Sequence, residues 1–588
     1  MFRKVLLVTC AMVGASFAEA QDVRLVSDRA VESLNEASLL RQIDDDAVPQ
    51  DYVAAARADY RRLLTALYGR GYYGGTVSIT INGIEAADIS PLAAPSVIED
   101  VVITVDAGPQ FRFGQTRIAP LPPATASPED FQSGERARAD QIERAVSAGL
   151  NAWRDIGHPR VRVADQAVIA RHQENRLDVE VALAPGPQLT FGALNVSGNE
   201  DVRTERIRAI AGLPTGEVYS PDALDKAESR LRRTGAFDSV AFTIADRNGP
   251  NNTLPINAQI LESKPRRIGV GLELSSVDGI TTSAFWLHRN LLGGAERLRV
   301  DGEVSGIGGE TGGIDYALRG KFSRPATFGP DTDYFLRGEI SREDEPDYLL
   351  DKIAVETGFT RIVTDDLTVE YGVGLLRAKE ESEVGDRQYT LLTLPLKATL
   401  DRRDAPSNAT DGYYIDLSTT PFVSTDGDLT GARLFADGRG YYTIADRFTF
   451  AARTQVGSVL GAGLEEAPAD FLFYSGGGGT VRGQPYQSLG IDRAVDGQIV
   501  STGGASFAGA QVELRTEITD SLSLVGFYDI GYVGETSVPL EDAEWHAGAG
   551  IGIRYETGIG PIRLDLGTEA SGETAQNLQV YIGIGQAF

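Results

Sequence analysis

The sequence contains one cysteine, Cys10, and very few histidines. Cys10 falls in an N-terminal segment that we expect to be cleaved, so the mature chain would hold no disulfide, no thiolate metal site and no cysteine nucleophile. The four histidines lack the spacing of metal ligands. Nothing in the chain assembles a nucleophile, a base and an oxyanion donor. We therefore expect no metal, no other cofactor and no enzymatic activity.

Long apolar runs and an excess of positive charge are also missing. No apolar run reaches the length of about eighteen residues that a membrane-spanning helix needs. Lysine and arginine total 55 against 83 aspartates and glutamates, and the formal net charge is -28. A chain of this sign repels nucleic-acid phosphates, so we expect no nucleic-acid partner.

The N-terminus has the pattern of a secretory signal peptide. Arg3 and Lys4 precede an apolar run over residues 5–17, and the small residues Ala18 and Ala20 follow it. A basic start, a short apolar run and a small-residue cleavage site are typical of such peptides. We predict a signal peptide at residues 1–20 and export of the chain from the cytoplasm.

The C-terminal stretch alternates apolar and polar side chains, which places them on opposite faces of a strand. Residues 548–556 and 561–566 show the same alternation. Short strands with one apolar and one polar face are what a transmembrane β-barrel requires, and residues 265–588 have room for about 16 such antiparallel strands. On the last strand, the apolar face carries Leu578, Val580, Ile582, Ile584 and Phe588.

An internal repeat organises the first half of the chain. The segment GPQFRFG at residues 108–114 recurs as GPQLTFG at residues 186–192, which is 78 residues later. Self-similarity at a fixed period indicates an array of small modules. In the last module, the pattern predicts a strand, two helices and a strand pair, at residues 191–196, 205–211, 224–233, 240–245 and 256–261. We expect every module to have these elements, which make a small α+β domain.

These modules resemble the POTRA domain. The turn SGN at residues 197–199 follows a strand, and GAFDSV at residues 235–240 follows a helix, as in that family. The resemblance implies three POTRA modules and a following barrel, with boundaries at residues 21–109, 110–187, 188–264 and 265–588.

The barrel half resembles the outer-membrane insertase superfamily that includes BamA, TamA and the two-partner secretion transporters. Four short motifs, in the family's order, carry the resemblance: WLHRNLLGG at 286–294, DRRD at 401–404 with DGY at 411–413, VRG at 481–483 and FYDIG at 527–531. The aromatic residue that usually follows VRG directly is displaced here to Tyr486.

Two of these motifs form the candidate site, Val481, Arg482 and Gly483 in a loop and Phe527, Asp529 and Gly531 on a strand. Asp529 shares a face with Phe527 and Gly531, and the opposite face is apolar, so Asp529 should point into the lumen and seek a cation. The resemblance implies that Arg482 is this cation. From spacing alone, an ordinary solvated loop arginine and an ordinary lumen carboxylate remain an alternative.

Two functions fit a barrel preceded by such modules. One is an assembly factor that helps other proteins enter or cross the outer membrane, and the other is a passive pore whose modules only dock partners. The modules favour the first, because a diffusion pore does not need them. A weakly paired seam would let a client strand add to a free edge. We place this seam between the first strand, with Ile268, Val270 and Leu272, and the last strand, where Gly583 lacks a packing side chain.

Three modules and a chain of this length resemble the TamA branch of the superfamily. This resemblance implies a TamB-like partner anchored in the inner membrane, unfolded autotransporter and other outer-membrane clients, and contact with outer-membrane lipid. It also implies that the barrel lies in the outer membrane of a Gram-negative bacterium, with the modules in the periplasm. A BamA-like factor and a two-partner secretion transporter stay open as alternatives.

Overall fold

The computed structural model describes residues 23–588 except 30, 45–46, 276–278, 310–311, 383–384, 446, 496–497, 520, 558–560, 572–577 and 585–588. The predicted signal peptide and the terminal Phe588 therefore lie outside the described residues. The chain forms two compact units, which are described separately. The first is Met1–Gly192 with Thr215–Asp222 and Asp246–Leu254, and the second is Ala193–Pro214 with Ala223–Ala245 and Pro255–Phe588.

The first module is a mixed sheet covered by a long helix. That helix, α2 (Pro49–Gly69), begins with a proline, which suits the first helical position because the N–H of that residue has no partner within the helix. It buries Val53, Ala56, Leu63 and Leu67, whose spacing of three, seven and four residues puts them on one face. The sheet order is β1-β4-β2-β3, with β1 parallel and β2 antiparallel to β4. The elements are β1 (Val23–Ser27), α1 (Val31–Ala37), α2 (Pro49–Gly69), β2 (Thr76–Ile81), β3 (Ile84–Glu85) and β4 (Val101–Asp106).

The second module has one helix where we expected two. Its sheet order is β5-β7-β6. Residues 120–138, which take the place of the expected first helix, form turns and bends. Four prolines in this segment remove backbone donors and fix φ, which is incompatible with a helix interior. The elements are β5 (Arg112–Ala119), α3 (Ala139–Asp155), β6 (Arg162–Arg171) and β7 (Arg176–Ala184).

The third module has the predicted two helices and three strands, in the sheet order β8-β10-β9. In the described part of the chain, no helix is long and apolar enough to cross a membrane. The elements of this module are β8 (Thr190–Ser197), α4 (Thr204–Ala211), α5 (Pro221–Arg233), β9 (Phe237–Ile244) and β10 (Thr253–Glu262).

The repeated GPQ segments are the joints between modules. The Phe111 backbone N–H donates to the Gly71 carbonyl, just beyond the end of α2, with an N···O distance of 2.8 Å. One repeat later, the Leu189 N–H donates to the Gly157 carbonyl, just beyond α3, at the same distance. The first residues of each new module are thus tied to the end of the last helix of the preceding one, which gives the repeated segment a structural role.

The remaining strands close into an antiparallel barrel of 16 strand positions, as predicted. Two short strands, β18 and β19, share one position, since both pair with β17 and with β20. Pro395 lies between them and cannot donate to the ladder. The first ten strands are β11 (Arg266–Ser275), β12 (Gly279–His288), β13 (Arg297–Ile307), β14 (Asp315–Arg324), β15 (Thr332–Glu345), β16 (Tyr348–Ile362), β17 (Leu367–Ser382), β18 (Arg387–Thr393), β19 (Leu396–Asp401) and β20 (Gly412–Ser424).

In the long connection between β22 (Phe448–Leu460) and β25 (Ser506–Thr519), the hairpin of β23 (Ile491–Val495) and β24 (Gln498–Thr502) forms a separate two-stranded sheet. Residues 461–505 make up this connection, which we call the lumen loop because its tip packs against inward-facing side chains. The remaining strands are β21 (Thr430–Ile444), β22 (Phe448–Leu460), β23 (Ile491–Val495), β24 (Gln498–Thr502), β25 (Ser506–Thr519), β26 (Leu522–Gly534), β27 (Ala543–Tyr555), β28 (Ile562–Ser571) and β29 (Gln579–Ile584).

Within the second compact unit, the helices of the third module contact barrel turns. Arg230 on α5 binds both carboxylate oxygens of Asp331, which lies in the turn before β15, at 2.9 and 2.5 Å. The Arg203 N–H donates to the Gly293 carbonyl in the turn between β12 and β13 at 3.0 Å. This turn belongs to the WLHRNLLGG motif, so one role of the motif is to hold the third module to the barrel.

Candidate functional site

Arg482, at the tip of the lumen loop, is the largest fully buried side chain in the described chain. Only 1% of Arg482 is accessible to solvent, and Val481 beside it is fully buried. The Arg482 guanidinium donates to both carboxylate oxygens of Asp529 on β26, at 2.8 and 2.9 Å, and its backbone N–H donates to the same carboxylate at 3.1 Å. A two-pronged pair of this kind fixes orientation as well as charge.

The other faces of the guanidinium are also occupied. Its Nη1 donates to Glu513 Oε1 on β25 at 2.6 Å and lies 3.4 Å from Asp565 Oδ2 on β28. The Phe527 ring lies underneath, with its centroid 3.7 Å from Arg482 Cζ, which is cation–π geometry. One loop side chain therefore contacts three separate barrel strands.

Two further arginines complete a buried network. Arg554 on β27 donates to Asp565 Oδ1 at 2.5 Å, and Arg515 on β25 donates to Glu513 Oε2 at 2.8 Å. The network thus holds three guanidinium groups and three carboxylates, which balance in formal charge. Loss of one partner from such a buried set leaves an uncompensated charge, which costs far more than the loss of an exposed ion pair. Its members are Arg482, Arg515, Arg554, Glu513, Asp529 and Asp565.

Close backbone packing seats the loop tip against β26 to β28. A Cβ on Gly548 of β27 would lie 1.9 Å from the Arg482 carbonyl oxygen, and a Cβ on Gly483 would lie 2.5 Å from the Thr568 carbonyl oxygen. Gly483 also has a φ of 93°, which favours glycine. Gly531 lies beside the side chains of Val481 and Ser475, and a Cβ there would be 3.0 Å from a Val481 methyl group. The glycines of the two motifs thus provide the space that the buried arginine needs.

The loop tip also reaches the last strand. The Gly483 N–H donates to Tyr581 Oη on β29 at 3.2 Å, and the Tyr581 hydroxyl donates to Gln579 on the same strand. Gln484, at the position where the family usually has an aromatic residue, donates from Nε2 to the Ala547 carbonyl at 2.8 Å. The displaced Tyr486 donates instead to Glu345 Oε1 on β15, across the lumen, at 3.1 Å.

The first and last barrel strands meet over a short register. Among the described residues, Leu274 lies opposite Ile582 and Ser275 lies opposite Tyr581. By contrast, β11 pairs with β12 along its whole length, from Arg266 opposite His288 to Ser275 opposite Gly279. The seam between β11 and β29 is thus the least extensively paired junction in the described part of the barrel.

The predicted seam residues divide into two groups. Ile582 takes part in the seam register, while Val580, Gly583 and Ile584 of β29 pair with β28. The structure does not bring the first-strand set to the described part of β29. That set, Ile268, Val270 and Leu272, is 73%, 85% and 58% exposed, as is Leu578 just before β29, at 62%. Phe588 lies outside the described residues.

Sequence reasoning did not find Glu513, Asp565, Arg515, Arg554 or Tyr581. Each is an inward-facing polar residue on an alternating strand, and many other lumen positions have that character. The closed barrel, the loop arginine that binds a strand aspartate inside it and the preceding α+β modules together define a class of β-barrel proteins with N-terminal α+β modules and a long loop held in the lumen.

Comparison with known proteins agrees with this class. A family model described as "Omp85 superfamily domain" matches residues 290–588, just over half of the chain, and one described as "Surface antigen variable number repeat" (POTRA) matches residues 189–263. The chain belongs to the Omp85 superfamily.

Two curated relatives are both outer membrane protein assembly factor BamA. The one from Nitratidesulfovibrio vulgaris is 19% identical over 411 residues, which cover 67% of this chain and 50% of the relative. The one from Neorickettsia risticii is 22% identical over 445 residues, which cover 71% of this chain and 57% of the relative. The chain thus spans about half the length of the curated relatives it matches.

Two solved structures share the fold. BamA from Haemophilus ducreyi lacking POTRA domains 1–3 has a TM-score of 0.64 at 16% identity, covering 81% of this chain and 100% of that one. CdiB from Acinetobacter baumannii has a TM-score of 0.50 at 11% identity, covering 81% of this chain and 89% of that one.

Proposed function

We propose that this protein is an outer-membrane assembly factor, which helps unfolded outer-membrane proteins insert or cross through the seam between β11 and β29. The observation that carries the proposal is the seam register, which among the described residues pairs Leu274 with Ile582 and Ser275 with Tyr581, whereas the other described barrel strands are paired more extensively. Free strand edges are costly in lipid, so a partly paired junction is the place where an added strand gains the most.

The proposed mechanism is strand addition. When the seam opens, the edge of β11 or β29 presents unpaired backbone groups, and a client strand can satisfy them by β-augmentation. The free energy comes from folding of the client itself, so the protein needs no catalytic group or cofactor. The POTRA modules receive the unfolded client before it reaches the seam.

The outward apolar side chains and the family membership support a place in the outer membrane of a Gram-negative bacterium, with the modules in the periplasm. Residues such as Val270, Ile353 and Val355 point outward and are largely exposed, as a lipid-facing surface requires. The predicted signal peptide at residues 1–20 agrees with export.

The buried network has a separate part in this proposal. Because Arg482 joins β25, β26 and β28, it holds the last strands and the loop as one rigid wall. A rigid wall confines movement to the seam. Arg482 and Asp529 are therefore positioning residues, and they do not contact the client.

We further propose that the protein belongs to the TamA-like branch and works with a TamB-like partner anchored in the inner membrane. The support is the sequence resemblance and the division into three modules at residues 21–109, 110–187 and 188–264. Autotransporters are the first clients to test. The BamA-like role is the alternative, and the curated relatives named above favour it; co-purification from native membranes with a TamB-like or a BamA-complex partner separates the two.

Reconstitution tests the assembly function itself. The purified protein is placed in liposomes with an unfolded autotransporter barrel, and insertion is scored by protease protection and heat-modifiable gel mobility. The wild type should accelerate insertion, Arg482→Ala should lose the acceleration, and Arg342→Ala, in an exposed pair with Asp351, should retain it. Solute flux without acceleration, unchanged when the partner is added, would instead establish a passive pore.

A further inference from the structure

An ion pair connects the first barrel strand to the strand before the last one. Arg563 lies on β28 and Glu273 lies on β11, with β29 between them in the sheet order. Arg563 Nη2 donates to Glu273 Oε1 at 3.1 Å. The Arg563 side chain therefore crosses the width of β29 on the luminal side and reaches the first strand.

Gly583 makes this reach possible. It lies opposite Arg563 in the register of β28 with β29, directly beneath the arginine side chain. A Cβ on Gly583 would lie 2.9 Å from Arg563 Nε and 3.4 Å from Nη2. Any larger residue would force the end of the Arg563 side chain to shift.

Among the described residues, the backbone register at the seam is two residue pairs long. The register at the seam joins Leu274 to Ile582 and Ser275 to Tyr581, next to Glu273 in sequence. On the other side, Tyr581 is held by the lumen loop through Gly483. The last strand, β29, is therefore held by the lumen loop. The described contacts that hold β11 at the seam are the short register with β29 and the ion pair with Arg563 of β28.

We propose that Glu273 and Arg563 form a seam bridge, an ion pair that keeps the first strand closed against β28 and β29 and that breaks when the seam opens. Its effect on seam opening is independent of any client. Its use in client entry rests on the assembly function proposed above.

The strength of such a bridge should depend on salt. The Arg563 side chain is 16% exposed and that of Glu273 is 54% exposed, so dissolved ions reach the pair. Exposed pairs contribute modestly and are screened as the ionic strength rises. A weak ion pair is suited to a seam that opens and closes repeatedly.

Seam opening is measurable in planar bilayers without a client. Current openings are assigned to the seam if the oxidised Leu274→Cys/Ile582→Cys protein lacks them and a reductant restores them. Cys10 is the only native cysteine, so the introduced pair is the one that forms the disulfide. The comparison uses the wild type, Glu273→Gln, Arg563→Gln, the double variant and the exchanged pair Glu273→Arg/Arg563→Glu. Glu303→Gln is the control, because the Glu303–Arg319 pair has a similar distance of 3.4 Å and its carboxylate is also partly exposed, at 39%, yet it joins the neighbouring strands β13 and β14.

We expect Glu273→Gln and Arg563→Gln each to raise the frequency of seam openings about two- to fivefold, which is the effect of an exposed pair. The double variant should show no further rise, the exchanged pair should restore closure, and Glu303→Gln should behave as wild type. Raising the salt from about 0.05 M to about 1 M should bring the wild type to the level of Glu273→Gln.

Equal opening frequencies in the wild type, Glu273→Gln and Glu303→Gln would overturn the seam bridge. Glu273→Gln decides the matter if Arg563→Gln impairs folding, since Glu273 is the more exposed partner. Client insertion is scored separately on the same samples. More frequent openings with unaltered insertion would count against the proposed function and leave the seam bridge supported.

Discussion

The hydroxyl of Tyr581 accepts a hydrogen bond from the backbone of Gly483, and Tyr581 also lies opposite Ser275 at the seam. The tip of the lumen loop is therefore connected to the strand junction through a single side chain. Movement of the loop and opening of the seam should be coupled through this residue.

Removing only the hydroxyl group tests this coupling. Tyr581→Phe keeps the ring and loses the bond from Gly483, which is worth about 0.5–1.5 kcal/mol. In a Leu274→Cys/Ile582→Cys background that has been reduced, we expect Tyr581→Phe to expose the two seam thiols more often, with the barrel still folded. The measurement is the rate of thiol labelling after reduction, and Tyr555→Phe, on the outward face of β27, should leave that rate unchanged.

The buried network should make Arg482 far more important to stability than a surface arginine. Arg482→Ala leaves three buried carboxylates short of a partner, and breaking a buried ion pair in this way costs about 3–5 kcal/mol. Arg482→Lys keeps the charge but loses the two-pronged contact with Asp529, so its effect should be smaller. The temperature at which heat-modifiable mobility is lost reports the change, with Arg342→Ala within about 0.5 kcal/mol of the wild type. Equal losses for Arg482→Ala and Arg342→Ala would contradict the account.

Space at Gly548 should decide whether the loop stays in the lumen. Gly548→Ala adds a methyl group that would lie 1.9 Å from the Arg482 carbonyl oxygen, which the loop can avoid only by moving away. Overpacking of this kind costs about 1–3 kcal/mol. Limited trypsin digestion should then cleave after Arg482, which is protected in the wild type. Gly526→Ala is the control, because no atom lies within 4 Å of its added carbon, and cleavage in both variants alike would argue against the packing explanation.

The contact of α5 with the barrel turn should weaken in acid. Hydrogen bonds from Arg230, with a smaller contribution from Arg233, lower the pKa of Asp331 below its ordinary value, against a burial effect that raises it. A carboxyl group with a lowered pKa in the folded state adds stability that is present above the unfolded pKa, about 3.9, and is lost as the pH falls through the folded value. Because the pair is partly solvated, we expect a contribution below about 1 kcal/mol.

Hydrogen exchange of α5 as a function of pH measures this contribution. Protection should fall below about pH 4 in the wild type, whereas Asp331→Asn should show weaker protection at neutral pH and little further loss in acid. Asp428→Asn, in an exposed turn, should keep the wild-type profile. An identical acid response in Asp331→Asn would show that another group is responsible.

Much of the architecture followed from periodicity. Alternation of apolar and polar residues predicted the barrel and the faces of its strands, because the side-chain period of a strand is two. The third module's helices followed from their spacing. The missing helix of the second module was not foreseen, since the repeat implied the same elements in every module, although four prolines occupy the place of that helix. Pro395 likewise divides one strand position in a way that alternation does not show.

The candidate site was only partly predictable. The short motifs and the face of Asp529 led to Arg482 and Asp529, and the structure places them together. Glu513 and Asp565 join them only through the register of strands that are far apart in sequence, and a shift of one residue would turn each to the opposite face. Local sequence does not fix that register. For the same reason, the bridge from Arg563 to Glu273, which closes the two ends of the barrel on each other, was not predicted.

Locking the seam tests the central claim most directly. Leu274 and Ile582 lie directly opposite each other in the seam register. Opposite residues of antiparallel strands have Cα atoms about 4.5–5.5 Å apart, which suits a disulfide. In liposomes with an unfolded autotransporter barrel, the oxidised Leu274→Cys/Ile582→Cys protein should not accelerate insertion, and reduction should restore the wild-type rate. Acceleration that is the same in the oxidised and reduced states would contradict client entry through the seam.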